Sequence, residues 1–495
     1  MHRFFARHLI CPLHEHLLGR RTFAYVRELE RSQWLAPNEL RDLQGRKLVE
    51  LLRHAATNVP FYRERLREAG ALERFAEARQ GEFGAATSPD TKEESTGGQA
   101  ASGTRRADGT RRAGGAPLDL LARMPLLTKD DIRRHGDAML WHEAPGGLHR
   151  HNTGGSTGEP LTFHFDRRRQ GYDQAARIRT HRWFGVDIGD RELFLWGSPI
   201  EWTRTDGVKR FRDALFNQRL LNAFDMSPQR IDAYIDAFNR FKPVCLFGYP
   251  SSIALLIDHA RSRNCRLDTR RLQAVFVTGE VCHPHQREAI AEYLGVPVAD
   301  GYGSREAGFI AHECPLGQMH LTAENVIVEI INQNGAAQPV GTPGEIVVTH
   351  LDAYAMPFIR YRTGDIGRLK PGRCACGRGL PMMDVVQGRA TDFLYLPDGT
   401  VKHALSIIYP LRAMEGVRQF RVTQHEDFGV VVDVVADDAK GGISREAVAH
   451  RVRPVLGDSV DLRVEIVPRI AAEGSGKFRY VVSYARPGAA SPPQG

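Results

Sequence analysis

Residues 244–303 read VCLFGYPSSIALLIDHARSRNCRLDTRRLQAVFVTGEVCHPHQREAIAEYLGVPVADGYG. Three β-rich runs, VCLFGYP (244–250), AVFVTGE (274–280) and PVADGYG (297–303), each end in a Gly or Pro turn. Between them, IALLIDHARSRN (253–264) and QREAIAEYLG (286–295) place apolar residues at helical spacing. Strand, loop and helix repeated in this way predict an α/β fold with a largely parallel sheet. Ligands bind such sheets at the carboxyl ends of the strands. The loops after the three runs are therefore where function is expected.

The same texture extends from Met124 to about Asp384 and changes after Gly388. There, DFLYLPDGTVKHA (392–404) predicts a hairpin turning at Asp398-Gly399. FGVVVDVVA and VDLRVEIV flank an Ala/Val/Arg helix, which makes a small α+β unit. Upstream, residues 21–79 read as helices, with Leu40, Leu43, Leu48, Leu51 and Leu52 in helical register, Asn38 as N-cap and Pro60 as a break. Residues 80–116 hold eight glycines and Phe83 as their only large apolar side chain, too little to offset the entropy of ordering, so they are expected to be a disordered insertion. The expected organisation is a large N-terminal domain, 1–388, and a small mobile C-terminal domain, 389–495.

At 495 residues, with 42% hydrophobic and 25% charged residues, the chain can bury more than one core. No run approaches the roughly 18–20 apolar residues of a membrane helix, and the opening MHRFFARHLICPLHEHLL is too interrupted for a secretory leader. Phe4, Phe5, Leu9, Leu13 and Leu17 could share a helix face, but Pro12 is expected to interrupt it. A net charge of +8 suits an enzyme of anionic substrates, and no RNP-like, zinc-finger or arginine-rich pattern points to nucleic acid. Seven cysteines, three of them near a His, fit reduced thiols in the cytoplasm.

Four segments carry chemistry. HNTGGSTGEP (151–160) offers the glycines and hydroxyls of Thr153, Gly154, Gly155, Ser156, Thr157 and Gly158 to wrap a polyphosphate, without the GK[ST] ending of a Walker loop. ADGYGSREAG (299–308) sets Tyr302 between Gly301 and Gly303, where an aromatic face can stack on a purine, with Ser304 and then Glu306, whose carboxylate can hold Mg²⁺. In PFIRYRTGDIG (357–367), Asp365 on a Thr-Gly turn can accept from ribose hydroxyls. GSGK (474–477) puts Lys477 on a flexible loop as a movable point charge. Each segment alone reads equally well as an ordinary turn or a solvated charge.

Their order resembles the adenylate-forming superfamily of acyl-CoA synthetases, adenylation domains and luciferases. Within it the chain is similar to the phenylacetate-CoA ligase-like branch, which includes capsular-polysaccharide-associated members. NVPFYRERL (58–66) and MPLLTKDDIR (124–133) resemble its N-terminal segments. HNTGGSTGEP resembles its phosphate loop, TGE (Gly279 and Glu280) and YGSRE its adenine and Mg²⁺ segments, and YRTGD its ribose-binding Asp. QGRATDF (387–393) with Arg389 resembles the interdomain hinge, and GSGK the C-terminal lysine.

The resemblance implies an ATP- and Mg²⁺-dependent enzyme that forms an acyl-adenylate and passes the acyl group to coenzyme A. It gives catalytic roles to Lys477, Glu306 and Thr157. The alternatives are transfer to an amine or a sugar, or a non-catalytic nucleotide-binding relative. Three departures stand out: Glu159 where the family has Lys, Thr391 where it has the hinge acid, and LPDGTVKHA in place of a Gly-rich stretch. The last two leave adenylation better supported than thioester formation.

Cys314 and His320 form C-x5-H, and Cys374 and Cys376 add two thiols after 53 residues. Cys₃His is a tetrahedral structural zinc set, and the resemblance strengthens that reading because some relatives bind zinc at similar positions. Three reduced thiols beside a His is the plainer reading; His312 is a rival imidazole, and Cys282 with His283 and His285 a rival cluster. By resemblance, Tyr249 borders a carboxylate pocket. Trp183, Trp196 and Trp202 could line an aryl site, though a core needs no such role to hold them.

Overall fold

The computed structural model describes residues 2–68, 115–152, 161–197, 212–223, 226–332, 334–387, 393–412, 414–436, 442–470 and 480–485. Its centre is an eleven-stranded sheet. One half is parallel, in the order Val298–Ser304, Ala274–Thr278, Cys245–Gly248, Glu192–Trp196, Gln218–Asn222. The three runs read from sequence are three of these strands. The helices Pro250–Ser262 and Pro284–Leu294 connect them as expected. Ala274, Val275, Phe276 and Val277 are all buried, as a strand covered on both faces must be.

The sheet then turns antiparallel through Gly308–Glu313, Met319–Leu321, Met382–Gln387, Tyr361–Lys370, Gly344–His350 and Val326–Ile331. The change of direction falls at the turn 305–307, inside the ADGYGSREAG segment. The MPLLTKDDIR segment docks on this half. Leu127 exchanges backbone hydrogen bonds with Arg360 and Arg362 on either side of Tyr361. The hydroxyl of Thr128 then caps the helix Lys129–His135 by accepting from Asp131 N–H.

A separate four-stranded sheet (Leu462–Ile466, Val430–Ala436, Val417–Gln424, Val481–Ser483) and the hairpin Phe393–Tyr395/Val401–His403 have their own hydrophobic cluster, from Leu394 to Val481. The hairpin turns at Asp398-Gly399, with Gly399 at a φ of +80° that side chains other than glycine rarely adopt.

Four expectations need correction or refinement. The helix Pro37–Asn58 is capped at Ala36, not Asn38. Pro37 takes the first helical position, and Glu39 reaches back to accept Ala36 N–H at 2.7 Å. Pro60 ends that helix but also begins the next, Pro60–Glu68. The last two residues of the expected insertion, Gly115 and Ala116, open the helix Gly115–Leu121; residues 80–114 lie outside the described residues. Finally, Pro12 does not interrupt the first helix: Arg3–Phe5, Ala6–Ile10 and Cys11–Leu17 run on as one. The middle piece is a π-turn in which Cys11 N–H bonds to Ala6 C=O, five residues back. Such a wide turn relieves the clash that a proline ring makes with the preceding turn.

Candidate active site

The crevice forms where the parallel strands end. After Cys245–Gly248 comes Tyr249, buried and stacked on Trp196 at the end of the neighbouring strand, with ring centroids 4.1 Å apart. The Tyr249 hydroxyl donates to Gly197 C=O at 3.3 Å. After Ala274–Thr278 comes Gly279 at φ +88°, so close to these rings that a Cβ would lie 3.0 Å from Tyr249 and 3.3 Å from Trp196. Both the positive φ and the close approach require glycine. Glu280 then accepts the N–H of Ser251, at the start of the helix Pro250–Ser262, at 2.8 Å. Thr278 Oγ1 donates to Gly301 C=O at 2.6 Å and ties this strand to the next.

Val298–Ser304 carries the third loop. Gly301 lies against the His312 ring and Gly303 against Gly308 C=O, both too close for an unhindered side chain. The Tyr302 hydroxyl donates to Asp365 Oδ2 at 3.0 Å. Ser304 Oγ accepts Ala307 N–H at 3.0 Å and shapes the turn that presents Glu306. The Glu306 carboxylate is buried and accepts from the Tyr361 hydroxyl at 3.1 Å. Tyr249, Gly279, Glu280, Gly301, Tyr302, Gly303, Ser304 and Glu306 therefore lie at or just beyond the carboxyl ends of the parallel strands, and Asp365 is joined to them through Tyr302.

Thr153, Gly154, Gly155, Ser156, Thr157 and Gly158, the hinge Arg389 and Lys477 lie outside the described residues. Their flanks are placed. The antiparallel strands His149–Asn152 and Thr162–Phe165 flank residues 153–160, and Asn152 C=O accepts from Arg305 at 3.4 Å, beside Glu306.

Sequence reading missed what holds the Glu306 turn. Arg169 is fully buried and donates to the carbonyls of Arg305 (2.9 Å) and Glu306 (2.7 Å). Its guanidinium lies 4.1 Å from the Phe165 ring centroid and 3.6 Å from Asp173. Asp173 in turn accepts Phe309 N–H and pairs with His350 at 3.3 Å, and this set of partners holds its carboxyl below the ordinary value despite burial. Arg169 follows Asp166, which caps its helix, but nothing in the run RRRQ marks the one arginine that turns inward.

The metal set does come together. Cys314, His320, Cys374 and Cys376 place their ligand atoms within 4.8 Å of one another. Cys314 Sγ lies 3.8 Å from Cys374 Sγ, and Cys376 Sγ lies 3.3 Å from His320 Nε2. Tetrahedral zinc with Zn–S bonds of about 2.3 Å separates its sulfurs by about 3.8 Å, so the donors fit that ion. His320 Nδ1 faces Leu380 C=O at 3.1 Å, which leaves Nε2 for the metal.

The rivals do not form: His312 turns Nδ1 to Glu313 C=O and is held neutral by burial, its value lowered to about 3. Cys282, His283 and His285 do not converge among the described residues. A second buried group, His181, Glu192 and Cys245, is better read as an ion-pair core. Arg177 and Gln218 already hold the Glu192 carboxylate, at 3.5 and 3.0 Å. Trp183 belongs to the metal set, its ring 6.0 Å from that of His320, and not to the crevice; Trp202 lies outside the described residues.

The profile of the AMP-binding enzyme family matches residues 220–352. Phenylacetate-coenzyme A ligase of Thermus thermophilus is 25% identical over 378 residues, spanning 75% of this chain and 74% of that one. The Escherichia coli protein of the same name is 26% identical over 369 residues, 72% of this chain and 73% of its own. Among solved structures, 2-hydroxyisobutyryl-CoA ligase in complex with 2-HIB-AMP and CoA aligns with a TM-score of 0.55 at 20% identity, over 92% of this chain and 91% of the other. That last likeness is one of fold.

Proposed function

The chain belongs to the adenylate-forming superfamily, in its phenylacetate-CoA ligase-like branch, and on that premise we propose that it is an ATP-dependent, AMP-forming acid–CoA ligase. A substrate carboxylate oxygen attacks the α-phosphorus of ATP, the bond to the β-phosphate oxygen breaks, and pyrophosphate leaves. The CoA thiolate then attacks the acyl carbon, and AMP leaves with the electrons of the acyl–oxygen bond. Both steps bring an anion to an anion, so the protein contributes positioning and charge compensation.

The observation that carries the reading is the pairing of Tyr302 with Asp365, 63 residues on, and of Glu306 with Tyr361 of the same strand as Asp365, at the end of the last parallel strand. Tyr302 offers its ring to adenine and its hydroxyl to Asp365, which is thereby aimed at the ribose. Glu306 is the residue to hold Mg²⁺, which would neutralise phosphate charge. The loop 153–158 cradles the polyphosphate, and Lys477, carried by a mobile domain 389–495 hinged near Arg389, supplies charge during adenylation. Tyr249 and Trp196 wall the acyl side with aromatic surface, which favours an aryl or otherwise apolar acid.

Cys314, His320, Cys374 and Cys376 would hold a structural zinc, since four protein ligands leave no open position. None of the seven cysteines is in a disulfide, in keeping with a reducing, cytoplasmic setting.

The test is hydroxamate formation from Mg-ATP, hydroxylamine and a panel of aryl and aliphatic acids, with Lys477→Ala as control. Acid-dependent product lost in the variant supports adenylation, and CoA in place of hydroxylamine identifies the acceptor. No product across the panel, from folded and metal-loaded protein that also fails to bind ATP, rejects the ligase reading.

A further inference from the structure

Ten large hydrophobic side chains stand exposed among the described residues, and five of them lie on the first helix: Phe4 (59% exposed), Phe5 (53%), Leu9 (60%), Leu13 (53%) and Leu17 (74%). Four of these recur every fourth residue, at 5, 9, 13 and 17. In a regular helix of 3.6 residues per turn that spacing drifts by about 40° per step. The π-turn at Ala6–Ile10 widens the helix and takes back part of the drift. The strip is thereby straightened along a helix that would otherwise spiral it away.

The opposite face is anchored. Ala6 and Cys11 are buried, Arg3 pairs with Asp190 at 2.9 Å, and Arg7 pairs with Asp187 at 2.7 Å. Gly189 approaches so closely that a Cβ would sit 2.8 Å from Arg3 C=O. His14 packs edge-on against Phe216. The helix is therefore fixed to the body with its apolar strip facing outward.

We propose that this helix seats the protein on an anionic lipid bilayer, lying in the plane of the surface with Phe4, Phe5, Leu9, Leu13 and Leu17 in the interface. Charge is the first argument. Residues 2–21 hold four arginines and four histidines against one acid, Glu15. Arg3, Arg7 and Arg20 are taken up in ion pairs with Asp190, Asp187 and Glu15, which leaves Arg21, His8 and His16 to face the headgroups. Glu15 is turned toward the body, where it accepts from the Thr22 hydroxyl and pairs with Arg20. No carboxylate of the helix accompanies the strip outward, while His8, His16 and Arg21 are exposed around it.

Area is the second argument. A single-helix strip of five side chains offers on the order of 500 Å², short of the roughly 800 Å² per partner of a stable protein complex. It matches the apolar face of an interfacial helix, which sinks about 5–10 Å into a bilayer.

Flotation of the full chain with phosphatidylcholine vesicles, with and without phosphatidylglycerol, tests this without any ligase assay, so the two readings stand or fall separately. The expected result is binding to the anionic vesicles that weakens with salt. It falls about tenfold or more in Leu9→Ser/Leu13→Ser and roughly fivefold in Arg21→Gln. Both variants change exposed side chains and keep the parent melting temperature. No binding, equal binding to neutral vesicles, or a solution dimer that the leucine substitutions dissociate would each overturn the proposal.

Discussion

The hydroxyl of Tyr302 donates to Oδ2 of Asp365 at 3.0 Å, joining the end of the last parallel strand, Val298–Ser304, to the bulged antiparallel strand Tyr361–Lys370. One hydrogen bond thus couples the side chain assigned to adenine with the one assigned to ribose. A second bond runs between the same segments, from the Tyr361 hydroxyl to Glu306 at 3.1 Å. Nucleotide recognition is therefore expected to fail as a unit.

Tyr302→Phe keeps the ring and removes the donor. An intramolecular hydrogen bond to a charged group contributes about 1.5–3 kcal/mol to stability, so urea denaturation is expected to show a loss of that order, and KM for ATP is expected to rise because Asp365 is no longer held in place. Asp365→Ala removes the acceptor altogether and is expected to cost more in kcat/KM for ATP than Tyr302→Phe. Steady-state kinetics with varied ATP checks both.

Arg169→Met removes a fully buried cation and leaves the Arg305 and Glu306 carbonyls without their donor. Breaking such a buried charge set costs roughly 3–5 kcal/mol. Urea denaturation is expected to show that loss, and activity is expected to fall even at temperatures where the variant stays folded, because the Glu306 turn has lost its support.

Zinc at the Cys₃His set would pin the segment after Glu306 to the one before residue 388. Metal analysis is expected to find one zinc per chain, absent in Cys374→Ser/Cys376→Ser. That variant, or chelated parent protein, is expected to melt lower. An intact melting temperature and no bound metal would leave three reduced thiols beside a histidine and no ion.

Asp300 is half-buried beside Glu313, and desolvation first, then that charge, push its carboxyl up to about 8 from an ordinary 3.8. In the unfolded chain it ionises near 4, so between about pH 4 and 8 the folded state binds more protons and stability falls as pH rises. Asp300→Asn removes this penalty. The variant's melting temperature is expected to exceed the parent's by a margin that grows toward pH 8 and then levels.

Three of the five strands in the parallel half were legible because each is an apolar, β-rich run that ends in a glycine or proline turn; Glu192–Trp196 and Gln218–Asn222, the latter only partly buried, were not. The crevice was legible for the same reason: Gly279, Tyr302 and Glu306 sit where those strands stop. Long-range polar pairs left no such mark. Lys47 donates to Asp352 at 2.6 Å across 305 residues, and Arg179 to Glu324 at the same distance across 145, both in the interior. A lysine or arginine destined for a buried pair looks in sequence like any solvated one. The zinc set lay between these cases, since C-x5-H and C-x-C are local but their meeting across the sheet is not. Ala36 was missed as a cap because its side chain accepts nothing; the signal was Pro37 at the first turn with Glu39 two residues later.

The most direct test of the central claim is product identity in a single turnover with Mg-ATP, a carboxylic acid from the panel and no CoA. The account predicts a stoichiometric, acid-dependent burst of pyrophosphate with enzyme-bound acyl-adenylate, and release of AMP only when CoA is added. ADP and inorganic phosphate as products, or pyrophosphate release that ignores the acid, would contradict it.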